Sequence, residues 1–374
     1  MEYVYNELTN WMKINNKKQV DVVNGANLPK ALVSRLISTK GQKKLEFGSV
    51  LSLFRFIEPE YYLDKMDEYC MLLTKPIGIL NALEFAHNFQ RVELTNNLLA
   101  EHSDRKGDVK NWLKTYALQR DLEKKDIESA FETIRELYGI VEQTEVKIRL
   151  DFIEHSLTFR NNNYSTKVFL DRIKKKIDLL PEGYLKESFK LRYYANLSLA
   201  KLYEDNDPEM AIKYGEYIVQ SMLVPDIIKA PALHMMGHAY IQTSPAKSKF
   251  YITQAAETYR ASGSEGFYTS LISNDIPFVQ NINNEKIPLD KLEGEELAHQ
   301  YIVRRDYFNA AKVLRSLKEK TAFHYIYLGI AEKNLLFILK GYGILNKTGN
   351  VFLAQVFENK LSNMFNIYNF EEVM

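Results

Sequence analysis

From Glu60 onward, apolar residues return every three or four positions in stretches of roughly 12 to 20 residues, and no stretch alternates as a half-buried strand would. This periodicity constrains the fold more than any other feature of the chain. It predicts many amphipathic helices joined by short turns. The stretches end at Thr74-Lys75-Pro76, Asp104 to Gly107, Arg160 to Asn163, Leu180-Pro181-Glu182-Gly183, Asp205 to Pro208, Thr243-Ser244-Pro245 and Ala261 to Gly263. Proline and glycine therefore act as punctuation between helices rather than as interruptions within them. Two helices per roughly 30 to 40 residues is the period of a helical repeat array.

Some repeats can be read directly. In the tetratricopeptide pattern a small residue on the first helix precedes an aromatic by three positions, and an alanine follows on the second helix. Leu297-Ala298-His299-Gln300-Tyr301 with Ala310 and Leu314 fits this spacing. Met236-Gly237-His238-Ala239-Tyr240 fits with Ala246 and Phe250 if the turn is shortened. Leu199-Ala200-Lys201-Leu202-Tyr203 with Ala211, and Leu328-Gly329-Ile330-Ala331 with Gly341, are looser copies. Small residues let paired helices approach closely, and the first helices of such an array line a concave face suited to an extended peptide. By position, Asn196, Tyr203, His238, Gln242, Glu295, Glu296 and Asn350 are candidates to bond a peptide backbone or its charged groups.

The first sixty residues differ in charge. Between Lys13 and Lys44 stand eight basic residues and one acid, Asp21, in a chain whose 49 Lys+Arg and 48 Asp+Glu otherwise cancel. The local excess overlaps a short helix expected over Lys17 to Val23, a turn at Asn24-Gly25-Ala26, and a second helix opened by Asn27 with Pro29 in its first turn. Leu32, Val33, Leu36 and Ile37 give that second helix an apolar face, and Phe47, Val50, Leu51 and Phe54 give one to a third helix. This is the layout of a helix-turn-helix. Lys30, Ser34 and Arg35 are the candidates for base edges, and Lys17, Lys18, Lys40, Lys43 and Lys44 for phosphates of double-stranded DNA. A charged cap on a repeat array reads the same way from spacing alone.

Catalytic chemistry has little support. Lys40-Gly41-Gln42-Lys43 lacks the second glycine of a phosphate loop, and the seven histidines form no catalytic motif. His234 and His238 are spaced to share one helix face, but no carboxylate lies between them and no third ligand is evident, so no metal and no cofactor is expected. Cys70, the only cysteine, excludes an intrachain disulfide and reads as a buried filler. No apolar run of about 18 residues suggests a membrane span, and the amino-terminal residues have no basic and apolar leader, so a cytoplasmic protein is expected.

The chain resembles the arbitrium peptide receptors (AimR family) of Bacillus phages, within the peptide-sensing regulators built on tetratricopeptide-like repeats. The resemblance is carried by Met66-Asp67-Glu68-Tyr69-Cys70-Met71-Leu72, by Asn81-Ala82-Leu83-Glu84-Phe85-Ala86, by Glu296-Leu297-Ala298-His299 through Ala310 to Leu314, and by His324-Tyr325 with Gly329. It implies an all-α fold, with a helix-turn-helix DNA-binding domain over 1–58, a right-handed tetratricopeptide-like superhelix over 59–350 and a dimerising C-terminal helix over 351–374. It further implies a homodimer that, without ligand, binds an operator in the host cytoplasm and favours lysis, and that a communication peptide of roughly six residues switches off. The family's glutamate for the peptide's arginine falls on Glu296, with Glu295 beside it, and its far-end aspartate falls on Asn350. A basic residue falls near Lys229, an asparagine pair on Leu199 and Tyr203, and a groove asparagine on His238. These departures imply a peptide of different sequence. Acting by inhibition of another protein, or as a chromosomal receptor of the same group, are the alternatives.

Overall fold

The computed structural model describes residues 1–160 and 167–365, and every regular element among them is helical. No helix among the described residues is long and apolar enough to cross a membrane. The chain divides into two compact units. Unit one holds Met1–Leu157, Arg172–Arg192 and Ser221–Pro225, and unit two holds Thr158–Asp171, Tyr193–Gln220 and Asp226–Met374.

Unit one begins with four helices: α1 (Glu2–Ile14), α2 (Gln19–Gly25), α3 (Lys30–Ser38) and α4 (Phe47–Ile57). Val4 and Leu8 of α1, Val22 of α2, Val33 and Leu36 of α3, and Val50, Leu51 and Phe54 of α4 are all buried. Each such side chain contributes about 1.5–3 kcal/mol of hydrophobic stabilisation, which fixes these short helices where propensity alone would not. The carboxylate of Asp21, at a position where a small apolar residue is common, accepts a hydrogen bond from the backbone N–H of Lys18 at 2.7 Å. It thereby holds the chain at the entry to α2.

The turn after α2 differs from the expected one. Asn27 does not open the next helix but adopts a left-handed conformation (φ 51°), and α3 starts at Lys30, with Pro29 outside it. The left-handed step reverses the chain and lets Ala26 and Leu28 both face the core. Gly25 lies against the ring of Phe56, which would have to move for any larger residue, since a Cβ there would lie 2.0 Å from it.

The other breaks expected from the sequence are present, alongside further ones, such as 141–143 and 221–225, that it did not mark. Pro76, Pro208 and Pro245 stand at the first position of their helices, and Gly107 and Gly263 take positive φ in the loops at 64° and 77°. The expected break from Arg160 to Asn163 lies largely outside the described residues.

A buried polar hub organises the rest of unit one. Glu84, on the Pro76–Asn88 helix, is fully buried. Its carboxylate accepts from the guanidinium of Arg149 at both oxygens, from the hydroxyl of Tyr116 (2.5 Å), from Ser188 Oγ (2.6 Å) and from Asn88 Nδ2 (3.0 Å). Burial raises the carboxyl's pKa, but the charge of Arg149 and the hydroxyls of Ser188 and Tyr116 outweigh it and leave the group below the usual carboxylate range. Cys70 is also fully buried in this unit, as its apolar surroundings predict.

Unit two is built of paired helices. Asp226–Ala239 packs on Pro245–Ala261, Gly294–Val303 on Tyr307–Ser316, and Ala322–Glu332 on Leu335–Lys347. The small residues sit at the crossings. A Cβ on Gly329 would meet Ile338 at 2.5 Å, and one on Gly341 would meet the carbonyl oxygen of Ala322 at 2.6 Å. Ala200, Ala211, Ala298, Ala310 and Leu314 are buried, in keeping with two more of the four repeats.

The fourth repeat needs correction. Gly237 does lie at a crossing, but its partners are Ser248 and Ile252, whereas Ala246 and Phe250 are not part of the buried face. The turn Tyr240–Ser244 is not shortened in the way assumed, so the buried face of the second helix is shifted by two residues. The last helix, Val351–Phe365, buries Phe352, Leu353, Val356 and Phe357 against its own unit. That part of the segment expected to dimerise is packed within its own chain, and residues 366–374 of the same segment lie outside the described residues.

Candidate functional site

The eight basic or polar candidates of the amino-terminal helices share one property. Lys17, Lys18, Lys30, Ser34, Arg35, Lys40, Lys43 and Lys44 are all exposed. Lys30, Ser34 and Arg35 project from α3, whose opposite face is held to the core by Val33 and Leu36. Lys40, Lys43 and Lys44 belong to the connection between α3 and α4. At one end of it Gly41 (φ 76°) leaves only 2.8 Å between a would-be Cβ and the Met1 carbonyl oxygen. At the other end Glu46 caps α4 by accepting from Ser49 N (3.2 Å), and its second oxygen accepts from Tyr184 N (2.7 Å).

The nine candidates in unit two differ in their surroundings. Tyr203 and His238 are joined: the tyrosine hydroxyl lies 2.7 Å from His238 Nδ1. Leu199 packs against the surrounding apolar cluster, and Asn196 and Lys229 are half-buried on their helices. Gln242 is exposed just beyond the Asp226–Ala239 helix. Glu296 is buried in a polar network, where it accepts from Asn281 Nδ2 at 2.7 Å while Gln300 donates to Asn281 Oδ1 at 2.6 Å. Glu295 accepts instead from Thr321 Oγ1 at 2.6 Å. Asn350 spends its side-chain oxygen on capping the last helix, accepting from Leu353 N at 3.1 Å.

Around His238 the structure assembles what the sequence did not reveal. His234 Nε2 and His238 Nε2 are 3.0 Å apart, and Asp275 Oδ1 lies 2.8 Å from the first and 2.9 Å from the second. The expectation that the histidine pair lacks a third ligand is thereby corrected. Asp275 is 37 residues beyond His238 in sequence and closes a π-helical turn, Leu271–Asp275, of the kind that recurs at functional sites. Burial, and then the neighbouring charge of His234, lower the pKa of His238. Burial acts to raise the Asp275 carboxyl, but hydrogen bonds from His234 and His238 hold it well below the usual carboxylate range.

Two cavities lie elsewhere. One of about 400 Å³ in unit one is lined by Lys44, Glu46, Phe47, Tyr69 and Tyr184 among others, and one of about 390 Å³ in unit two by Lys167, Tyr193, Leu197, Lys201 and Tyr214 among others. Neither is lined by any of the nine peptide candidates.

Solved structures similar to this chain share its fold at low sequence identity. SeMet-phAimR is 18% identical, with a TM-score of 0.69 and 97% of each chain covered. A structure of phAimR with a ligand is 19% identical, with a TM-score of 0.66, covering 86% of this chain and 98% of the other. Among curated protein sequences there is no match. The family described as AimR transcriptional regulator-like matches residues 62–363, most of the chain. The protein belongs to the AimR transcriptional regulator-like family.

Proposed function

We propose that the chain is a peptide-responsive transcriptional regulator whose operator-bound form, a homodimer in the bacterial host cytoplasm, sets the phage choice between lysis and lysogeny. The observation that carries this reading is the exposed cationic surface on and around α3, in a chain with almost no net charge. The second helix of such a module enters the major groove while flanking lysines neutralise phosphates and fix the register. Lys30, Ser34 and Arg35 read base edges, and Lys17, Lys18, Lys40, Lys43 and Lys44 hold the backbone.

The effector is a short peptide bound in unit two, with Asn196, Leu199, Tyr203, Lys229, His238, Gln242, Glu295, Glu296 and Asn350 as its candidate contacts. Membership of a regulator family supports this, as does the existence of a relative solved with a ligand. Peptide binding ends activation by favouring one arrangement of the dimer over another, which requires different affinities for the two.

Mobility-shift assays on the DNA flanking the gene, with and without the peptide encoded just downstream, test the proposal. Retention that the peptide abolishes or alters is expected, and no retention at any salt concentration sinks it. Lys30→Glu combined with Arg35→Glu separates this reading from inhibition of a partner protein. Lost retention with an unchanged helical circular dichroism spectrum supports DNA binding, whereas regulation unaffected by the double substitution supports the partner protein.

A further inference from the structure

The three donor atoms around Asp275 form a nearly equilateral triangle with edges of 2.8, 2.9 and 3.0 Å. As a set of hydrogen bonds this is a poor arrangement. Each imidazole that donates its Nε2–H to the one carboxylate oxygen also brings that proton against the other imidazole nitrogen. As a set of metal ligands it is a good one. Ligand atoms at right angles around an ion, with bonds of roughly 2.0–2.1 Å, stand about 2.8–3.0 Å apart, and tetrahedral ligands about 3.3–3.4 Å apart. The observed edges are those of one face of an octahedron, supplied by two imidazoles and one carboxylate.

Neighbouring residues fit the same purpose. His238 turns its other nitrogen, Nδ1, to the Tyr203 hydroxyl at 2.7 Å, the outer interaction that fixes a ligating imidazole's tautomer and ring orientation. When Nε2 carries a metal, Nδ1–H donates to that hydroxyl. The two rings stand at 80° to one another in a T-shaped pair, with centroids 4.4 Å apart. His238 is buried, whereas the side chains of His234 and Asp275 keep 20% and 19% exposure, which leaves the cluster open to solvent on one side.

We propose that His234, His238 and Asp275 bind one divalent first-row transition-metal ion, of the Zn2+ class, on a facial set of three protein ligands, with Tyr203 orienting His238. The remaining coordination positions are taken by water. Imidazole and carboxylate donors suit Zn2+, Co2+ and Ni2+ better than Mg2+ or Ca2+, which favour all-oxygen sites. Tyr203 and His238 are also candidate peptide contacts, but the metal reading rests on the ligand geometry and its test uses no peptide, so its failure leaves the peptide-responsive reading standing.

The test uses the full chain, stripped with a chelator and titrated with Zn2+ by calorimetry and with Co2+ by visible absorption. One equivalent per chain is expected, with Mg2+ and Ca2+ failing to compete. Asp275→Asn and His234→Ala each weaken Zn2+ binding at least tenfold, and Tyr203→Phe weakens it about tenfold because His238 Nδ1 then has no hydroxyl to hold its ring. Zn2+ raises the unfolding temperature of the parent protein but not of Asp275→Asn, and circular dichroism without metal verifies that the variants remain folded. Binding weaker than about 100 µM, or affinity unchanged in both Asp275→Asn and His234→Ala, overturns the proposal, the latter by placing the metal on other histidines.

Discussion

Replacing Glu84 by alanine removes the acceptor that compensates Arg149 in the core of unit one. The Arg149 side chain is 1% exposed and Glu84 0%, so water does not replace the missing carboxylate unless the unit opens. Breaking a buried pair by deleting one partner costs about 3–5 kcal/mol, chiefly because the surviving charge is left unpaired. Tyr116, Ser188 and Asn88 lose the same acceptor, but these losses are coupled to the first and do not simply add. Both tryptophans, Trp11 and Trp112, lie in unit one, so intrinsic fluorescence during urea unfolding reports on that unit. The expected result is a transition shifted to lower urea by the equivalent of about 3–5 kcal/mol. A companion variant, Glu84→Leu with Arg149→Met, removes both charges and is expected to recover much of the loss. A cost below about 1 kcal/mol for Glu84→Ala, with fluorescence still reporting native packing, refutes the claim that this carboxylate holds the unit's charge in balance.

Burial holds His155 neutral with its pKa lowered from 6.5 to about 4, so between those values the unfolded chain binds the extra proton. Stability is therefore full above about 6.5 and falls by roughly 3 kcal/mol as the pH drops toward 4, and His155→Gln should lose that part of the slope in a pH series of urea midpoints. Gly341→Ala places a methyl group 2.6 Å from the Ala322 carbonyl oxygen and should destabilise unit two by about 1–3 kcal/mol, measured as a shift in thermal unfolding; an unchanged midpoint contradicts the close crossing. If the connection between α3 and α4 meets the DNA backbone, alanine at Lys40, Lys43 and Lys44 should lower the slope of log affinity against log salt by about 0.9 for each phosphate no longer neutralised, whereas an unchanged slope removes them from the interface.

What the sequence disclosed and what it concealed follow the range of the interactions involved. Helices, their breaks, and the small residues Ala298, Gly329 and Gly341 could be read because each depends on neighbours within one helical pair. The Gly237 crossing could be read on one side only. Its first helix is legible in the sequence, but the length of the turn decides whether Phe250 or Ile252 faces inward, and a shift of two residues reverses a helix face. Glu84 is visible as part of a family-like segment, yet its role depends on Tyr116, Arg149 and Ser188, which lie 32, 65 and 104 residues away. Asp275 is hidden for the same reason. The histidine pair is a local signal, but its carboxylate comes from another helix through an irregular turn that periodicity does not register. Asn350 and Glu296 show the converse, since polar residues chosen by position prove to have partners inside the fold.

The connection carrying Lys40, Lys43 and Lys44 is gripped at both ends, by the close approach of Gly41 to Met1 and by the two-headed bond of Glu46. Its span is thus set before any partner arrives. A tethered string of lysines would have to surrender conformational freedom on each encounter, and its charges would settle one at a time. Lysines on a fixed span present their spacing as a gauge, losing less entropy on binding and rejecting a charged surface whose repeat does not match.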